Sequence, residues 1–255
     1  MPQPIRHPWL AFPPVAIHAE PALVKAHPDY AAAKAGDAEA AARLVATTYS
    51  SVAEREVMRW AGGRPAVLVP VHAVEEQGVN AIPVVLAEAL GQRLGWAVWP
   101  HVMQVNAVGH TGASGFARLA RQAHFEGPVP LGSPTVLVDD FVGQGGTLAN
   151  LRGHLIAAGA DVMGATVLTG KTHSAGLALQ NATLEKLRRK HGESIEQWWF
   201  ERFGHAFDSL TESEAGYLTR TPDADRVRSS IAAEERGGDP GAGPDPSAAP
   251  GAVGG

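Results

Sequence analysis

The stretch Thr135-Val136-Leu137-Val138-Asp139-Asp140-Phe141-Val142-Gly143-Gln144-Gly145-Gly146-Thr147 decides how this chain is read. Its first four residues form a short apolar run, entered through the turn residues Gly132-Ser133-Pro134, of the kind that fills a buried parallel strand. Leu148, Leu151, Leu155 and Ile156 follow at helical spacing, and Gly159 stops them. Strand, acids, glycines and helix therefore succeed one another without a gap. Two adjacent carboxylates at a strand end are acceptors suited to the hydroxyls of a cis-diol such as a ribose. Glycines in the bend let backbone amides approach an anion with no β-carbon in the way. A helix N-terminus adds free N–H groups and the positive end of its dipole. The competing reading is structural: a capping Asp pair followed by a tight turn. A lone Asp-Asp or a lone glycine bend would favour that reading, whereas the four features in register favour a sugar-phosphate pocket.

Outward from this stretch the chain alternates. Ala66–Val71 and Ala97–Val105 read as further strands, with a helix between them carrying Ile82, Val85, Leu86, Ala89, Leu90 and Leu94 and ending near Gly95. Asp161–Leu168 is the next strand. Strand, helix, strand in repetition implies right-handed βαβ units. The expected fold class is α/β: a mainly parallel sheet covered by helices, with an N-terminal helical arm and a C-terminal helical extension. The proline-rich first thirty residues predict an extended arm laid on the body through Trp9, Leu10 and Phe12. Asp29–Gly36 and Asp37–Gly62 predict two alanine-rich helices, each begun by an Asp and ended by a Gly. Beyond Lys171 helices are expected near 183–191, 194–203, 209–219 and 222–235, the last two started by Ser209 with Glu212 and by Thr221 before Pro222. Residues 237–255, rich in glycine and proline, predict a disordered tail. The division is 1–63 for arm and helices, 64–171 for the α/β core, 172–236 for the extension and 237–255 for the tail.

Val138-Asp-Asp-Phe-Val-Gly-Gln-Gly-Gly-Thr147 resembles the phosphoribosyl-pyrophosphate (PRPP) signature of type I phosphoribosyltransferases. In that family two acids follow an apolar strand and a small-residue loop of Thr-Gly-Gly-Thr type comes two residues later. The resemblance implies that Asp139 and Asp140 contact the ribose hydroxyls and that Gly143, Gln144, Gly145, Gly146 and Thr147 hold the 5′-phosphate. Gln144 departs from the pattern, standing where the family has a hydroxyl residue. More weakly, the resemblance runs from about Arg64 to Lys171. It sets His72, Glu75, Glu76 and Gly78 where the family has its pyrophosphate loop, and the connection from Gln104 to Thr135 where the family has a mobile catalytic flap. Gly109, Gly112 and Gly115 would make that flap pliable. Arg118 and Arg121, about one helical turn apart, would carry positive charge to the pyrophosphate, Arg121 with a catalytic role. Magnesium bridging the substrate's oxygens is expected, without a protein-built metal cage.

The composition bounds the alternatives. The chain has 255 residues, 45% of them hydrophobic and 18% charged, which is enough apolar material for a core. Without a cysteine it forms no disulfide, thiolate zinc site or cysteine nucleophile. A net charge of −5 does not advertise a nucleic-acid surface. No apolar stretch approaches membrane-spanning length and the start lacks the run of a secretory signal, so a cytoplasmic home is expected. Gly170-Lys171-Thr172 lacks the spacing of a phosphate-loop NTPase, and Gly112-Ala-Ser114-Gly-Phe116 lacks the second glycine of a hydrolase elbow. His72, His101 and His110 fall near expected strand ends or the flap. Ile195, Trp198, Trp199, Phe200 and Phe203 read as core or subunit interface. The expected activity is transfer of a phosphoribosyl group from PRPP to a small nitrogenous acceptor with release of pyrophosphate, in a possible homodimer. A sensor that binds PRPP or a nucleotide without turnover, and a sugar-phosphate hydrolase on a similar sheet, are the competitors.

Overall fold

The computed structural model describes residues 3–75, 78–106 and 113–236. Its elements run β1 (Ala16–Ala19), α1 (Pro21–Lys25), α2 (Tyr30–Lys34), α3 (Ala38–Thr48), α4 (Ser51–Ala61), β2 (Val67–Pro70), β3 (His72–Glu75) and β4 (Gly78–Val79). Then come α5 (Ile82–Leu94), β5 (Ala97–Val98), β6 (Met103–Gln104), α6 (Gly115–Ala120), β7 (Phe125–Glu126), β8 (Pro134–Val142), α7 (Gly146–Ala157) and β9 (Asp161–Gly170). The C-terminal extension holds α8 (Asn181–His191), α9 (Glu193–Phe203), α10 (Glu212–Arg220) and α11 (Ala224–Glu235).

Among the described residues the main sheet has five strands in the order β1-β9-β8-β2-β5, every neighbouring pair parallel. From β2 the chain crosses through α5 to β5 on one side, and β8 then returns to the other side of β2. Strand order therefore reverses between β2 and β8, the place where open α/β sheets bind ligands beyond their carboxyl ends. A smaller sheet, β4-β3-β6-β7, continues past that end.

Pleating sends alternate residues of β8 into different layers. Val136 and Val138 pack with Leu44 of α3, Val57 of α4 and Leu86 and Leu90 of α5. Leu137 packs on the opposite face with Leu148, Leu151 and Leu155 of α7. A third cluster gathers Ile195, Trp199 and Phe203 of α9 with Leu218 of α10, Ile231 of α11, and Phe116 and Leu119 of α6. Of the aromatic stripe, Ile195, Trp199 and Phe203 are thus interior, while Phe200 is exposed. No helix of the described residues is long and apolar enough to cross a membrane.

Several expectations are corrected. The N-terminal segment is not wholly an extended arm: Ala16–Ala19 is an edge strand on β9, reinforced by Thr166 Oγ1 donating to the Ala16 carbonyl (2.9 Å) and Thr169 Oγ1 to that of Ala19 (2.7 Å). Trp9 and Phe12 do pack on the body, but Leu10 is 80% exposed. Asp37–Gly62 is two helices, because Tyr49 is extended and Ser50 caps a new start by accepting from the amides of Val52 and Ala53. Ala97–Val105 is two strands in different sheets: after Trp99 donates to the Leu68 carbonyl, Pro100 has no N–H to continue the ladder. Strand β8 does not stop at Val138 but accompanies β9 as far as Val142. The cap of α10 is Thr211 with Glu214, and Asp223 caps α11. The tail from 237 lies outside the described residues.

Candidate functional site

Past Pro70, strand β2 bends away into the small sheet while β8 continues beside β9. The last bond of that junction runs from the Val71 amide to the Val138 carbonyl (2.8 Å). Asp139 and Asp140 follow at once, on the carboxyl side of the reversal between β2 and β8. Asp139 continues the face of Leu137, toward α7, and is 6% exposed. Its Oδ1 accepts from the Asp140 amide at 2.8 Å. Burial, and then the neighbouring Asp140 carboxylate, push its pKa well above the usual carboxylate range. Asp140 continues the face of Val138 and meets Lys34, the last residue of α2, whose Nζ lies 3.0 Å from Oδ2. The two acids thus differ in surroundings, one buried and one in a largely shielded ion pair.

The bend itself opens α7. Gly145 is the N-cap of this helix at φ +83°, a left-handed conformation that favours glycine. The sequence pattern gives the three glycines to ligand approach, and the structure divides that role. A Cβ on Gly145 would run into Leu177, and one on Gly146 would lie 2.7 Å from Glu214 Oε1. These two glycines admit the C-terminal extension behind the bend. At Gly143 a Cβ would lie 3.3 Å from the Phe141 ring and 3.8 Å from a guanidinium nitrogen of Arg118. Gln144 Oε1 is enclosed without a hydrogen-bond partner among the described residues, and Thr147 is the second residue of α7.

The structure therefore brings Arg118, on α6, to the glycine bend. Arg121 it holds elsewhere: its guanidinium pairs with Glu234 of α11 at 3.3 Å. His72 stands one residue beyond Val71, at the same sheet end, with Nδ1 enclosed and unpartnered among the described residues. Gly115 is not a source of pliability. It begins α6, where a Cβ would strike the Tyr217 ring, and Ser114 both caps this helix and donates to Glu234 (2.7 Å). The described part of the expected flap is thereby tied to the C-terminal helices. Glu76, Gly109, Gly112 and His110 lie outside the described residues.

Other residues that border the site went unnoticed in the sequence. Lys34 reaches Asp140 across 106 positions of chain, and Lys25 lies over the Phe141 ring at 5.6 Å to the centroid. No local pattern marks either. Thr211-x-x-Glu214 could have been found as a capping box; its hydroxyl also donates to the Gln144 carbonyl at 2.6 Å. Among the described residues no three His, Cys, Asp or Glu side chains gather as a metal cage.

Chemically, the sheet end offers two carboxyl groups on alternate faces of β8, one buried and one paired with Lys34, a helix N-terminus with a glycine bend as an anion receptor, and one arginine beside that bend.

No family model matches the chain. It is 39% identical over 228 residues to Protein TraN of Escherichia coli, covering 89% of this chain and 51% of that protein. It is 36% identical over 155 residues to an uncharacterized protein of Haemophilus influenzae (strain ATCC 51907 / DSM 11121 / KW20 / Rd), covering 60% of this chain and 35% of that one. The chain thus spans about half the length of the first relative and about a third of the second. Among solved structures it is similar to UMP synthase of Leishmania donovani at 16% identity and a TM-score of 0.30, covering 75% of this chain and 35% of that one. A likeness of that size does not define a shared fold.

Proposed function

We propose that this chain carries a type I phosphoribosyltransferase-like site that binds PRPP and transfers its phosphoribosyl group to a small nitrogenous acceptor, releasing pyrophosphate. The observation that carries the reading is the conjunction at one strand end: Asp139 and Asp140 at the reversal of strand order, continuous with a glycine bend that opens a twelve-residue helix. In this reading Asp139 and Asp140 accept from the ribose 2′- and 3′-hydroxyls. The amides of Gly143 to Thr147 hold the 5′-phosphate, helped by the helix dipole. Arg118 places positive charge beside the bend, toward the phosphates.

The bond from the anomeric carbon to pyrophosphate loosens as the acceptor nitrogen approaches, and positive charge develops on the ribose. The protein supplies no covalent nucleophile; orientation and charge stabilisation carry the rate. Magnesium would be held chiefly by the oxygens of PRPP, without a protein-built cage, and would supply neutralisation of the phosphates.

One observation favours a second reading, binding without turnover: Arg121 is engaged by Glu234 at 3.3 Å instead of facing the bend. Incubation with PRPP, Mg²⁺ and a panel of nucleobases and amines separates the two. Acceptor-dependent pyrophosphate release supports the transferase. Saturable PRPP binding with no release supports the sensor, and free phosphate without any acceptor would point to a hydrolase.

A further inference from the structure

The bend between β8 and α7 is backed by a buried polar cluster that the proposed chemistry does not use. Thr211, the N-cap of α10, donates its hydroxyl to the Gln144 carbonyl at 2.6 Å. The same hydroxyl accepts from the Glu214 amide (3.1 Å), and Glu214 Oε2 accepts from the Thr211 amide (2.9 Å). The Glu214 carboxylate in turn holds both terminal nitrogens of Arg6, at 2.6 and 3.0 Å, with each side chain 2% exposed. Arg6 Nε donates to Asn150 Oδ1 on α7 at 2.5 Å, and Asn150 Nδ2 donates to the Ala123 carbonyl at 2.9 Å. One cluster thus ties the N-terminal segment, the C-terminal extension, α7 and the central connection to the back of the bend.

A peptide group is planar and trans, so its C=O and the following N–H point in opposite directions. With the Gln144 carbonyl pinned to Thr211, the Gly145 N–H is aimed away from the extension, toward the open side of the bend. Leu177 and Glu214 fill the other side, in the places where β-carbons of Gly145 and Gly146 would stand. The bond therefore sets the direction of an amide that an anion would need.

We infer that Thr211, braced by the Glu214–Arg6 pair, is a positioning residue that holds the glycine bend in its anion-receiving conformation from behind. Thr211 touches no ligand; it acts through the peptide between Gln144 and Gly145. As far as the ligand is concerned, the inference rests on the sugar-phosphate reading of the site. As far as the bend is concerned, it stands without that reading.

The test compares the full chain with Thr211→Val, which removes the hydroxyl and keeps the shape, and with Thr211→Ser, which restores the hydroxyl. Backbone ¹⁵N relaxation at Gly145 and Gly146 reads the order of the bend, since these amides have no helical partner to protect them, and calorimetry with ribose 5-phosphate alone reads binding. Thr211→Val is expected to lower the order parameters at both glycines and to weaken binding about tenfold, the effect of one hydrogen bond. Thr211→Ser is expected to return both to near wild type. Unchanged order parameters in Thr211→Val overturn the inference. Lower order with undiminished affinity overturns the positioning role and leaves only a structural one. If the wild type does not bind ribose 5-phosphate, the sugar-phosphate reading fails, and relaxation still decides whether Thr211 holds the bend. Should Thr211→Val not fold, Glu214→Gln, which drops the charge facing Arg6, carries the same comparison.

Discussion

Lys34 and Asp140 offer a direct measure of how firmly the N-terminal helices are coupled to the sheet end. Their charged atoms lie 3.0 Å apart, with the side chains 17% and 13% exposed. At that separation the attraction is about 1.4 kcal/mol in bulk water and about 5.5 kcal/mol at an effective dielectric of 20. The pair is shielded enough to approach the second figure, but the lost hydration of both ions offsets much of it. A net coupling of about 1–3 kcal/mol follows. Lys34 also has a further interaction, so a single substitution would mix effects. A double-mutant cycle of Lys34→Met, Asp140→Asn and both together isolates the pair. Urea denaturation at neutral pH reads each variant, and Lys34→Met alone should lower the thermal midpoint by roughly 2–4 °C per kcal/mol lost. A coupling below about 0.5 kcal/mol, within the range of exposed surface pairs, would refute the shielded geometry.

Three further outcomes are expected. His18 is buried with its pKa lowered from 6.5 to about 4, chiefly by desolvation. The unfolded chain therefore binds the proton first, and stability present above pH 6.5 is lost as pH falls toward 4, by roughly 3 kcal/mol; denaturation of His18→Gln across that range should give a visibly flatter profile. Asp139 has the opposite sign, since its pKa is raised by burial and by Asp140. Its stability cost appears as pH rises above the unfolded value of 3.8, so Asp139→Asn should raise the thermal midpoint at pH 7, and an unchanged or lower midpoint would contradict the burial. In Gly153 of α7, a Cβ would strike the Ile5 carbonyl. Gly153→Ala should therefore lift the N-terminal segment off α7 and cost about 1–3 kcal/mol, whereas a wild-type melting curve with unaltered proteolysis near Ile5 would count against that packing.

What the sequence displayed and what it concealed divide along contact range. The strand from Thr135, the glycine bend and the amphipathic helix after it are local patterns, and period and turn chemistry were enough to place them. Strand ends were less legible. Nothing within Asp139–Val142 announces that β9 is long enough to carry the ladder past the acids, and that length is set by the partner strand. Lys34 and Arg6 belong to the concealed part, because their partners lie more than a hundred residues away. Glycines carried a double signal: those at 145 and 146 were legible as a bend, but that they admit Leu177 and Glu214 depends on an extension whose docking no local pattern records. Ser209 with Glu212 and Thr211 with Glu214 both fit the spacing of a helix start; in the fold Ser209 ends a tight turn and Thr211 forms the full capping box, its hydroxyl also bonded to the Gln144 carbonyl.

The central claim is that the acids and the glycine bend together hold a phosphorylated pentose. Calorimetric titration with PRPP and Mg²⁺, comparing the wild type with Asp139→Asn/Asp140→Asn, tests it most directly. The account predicts saturable binding by the wild type and at least a tenfold loss in the double variant, about 1.4 kcal/mol or more. Equal affinity in a folded double variant, or no binding by the wild type, would contradict it.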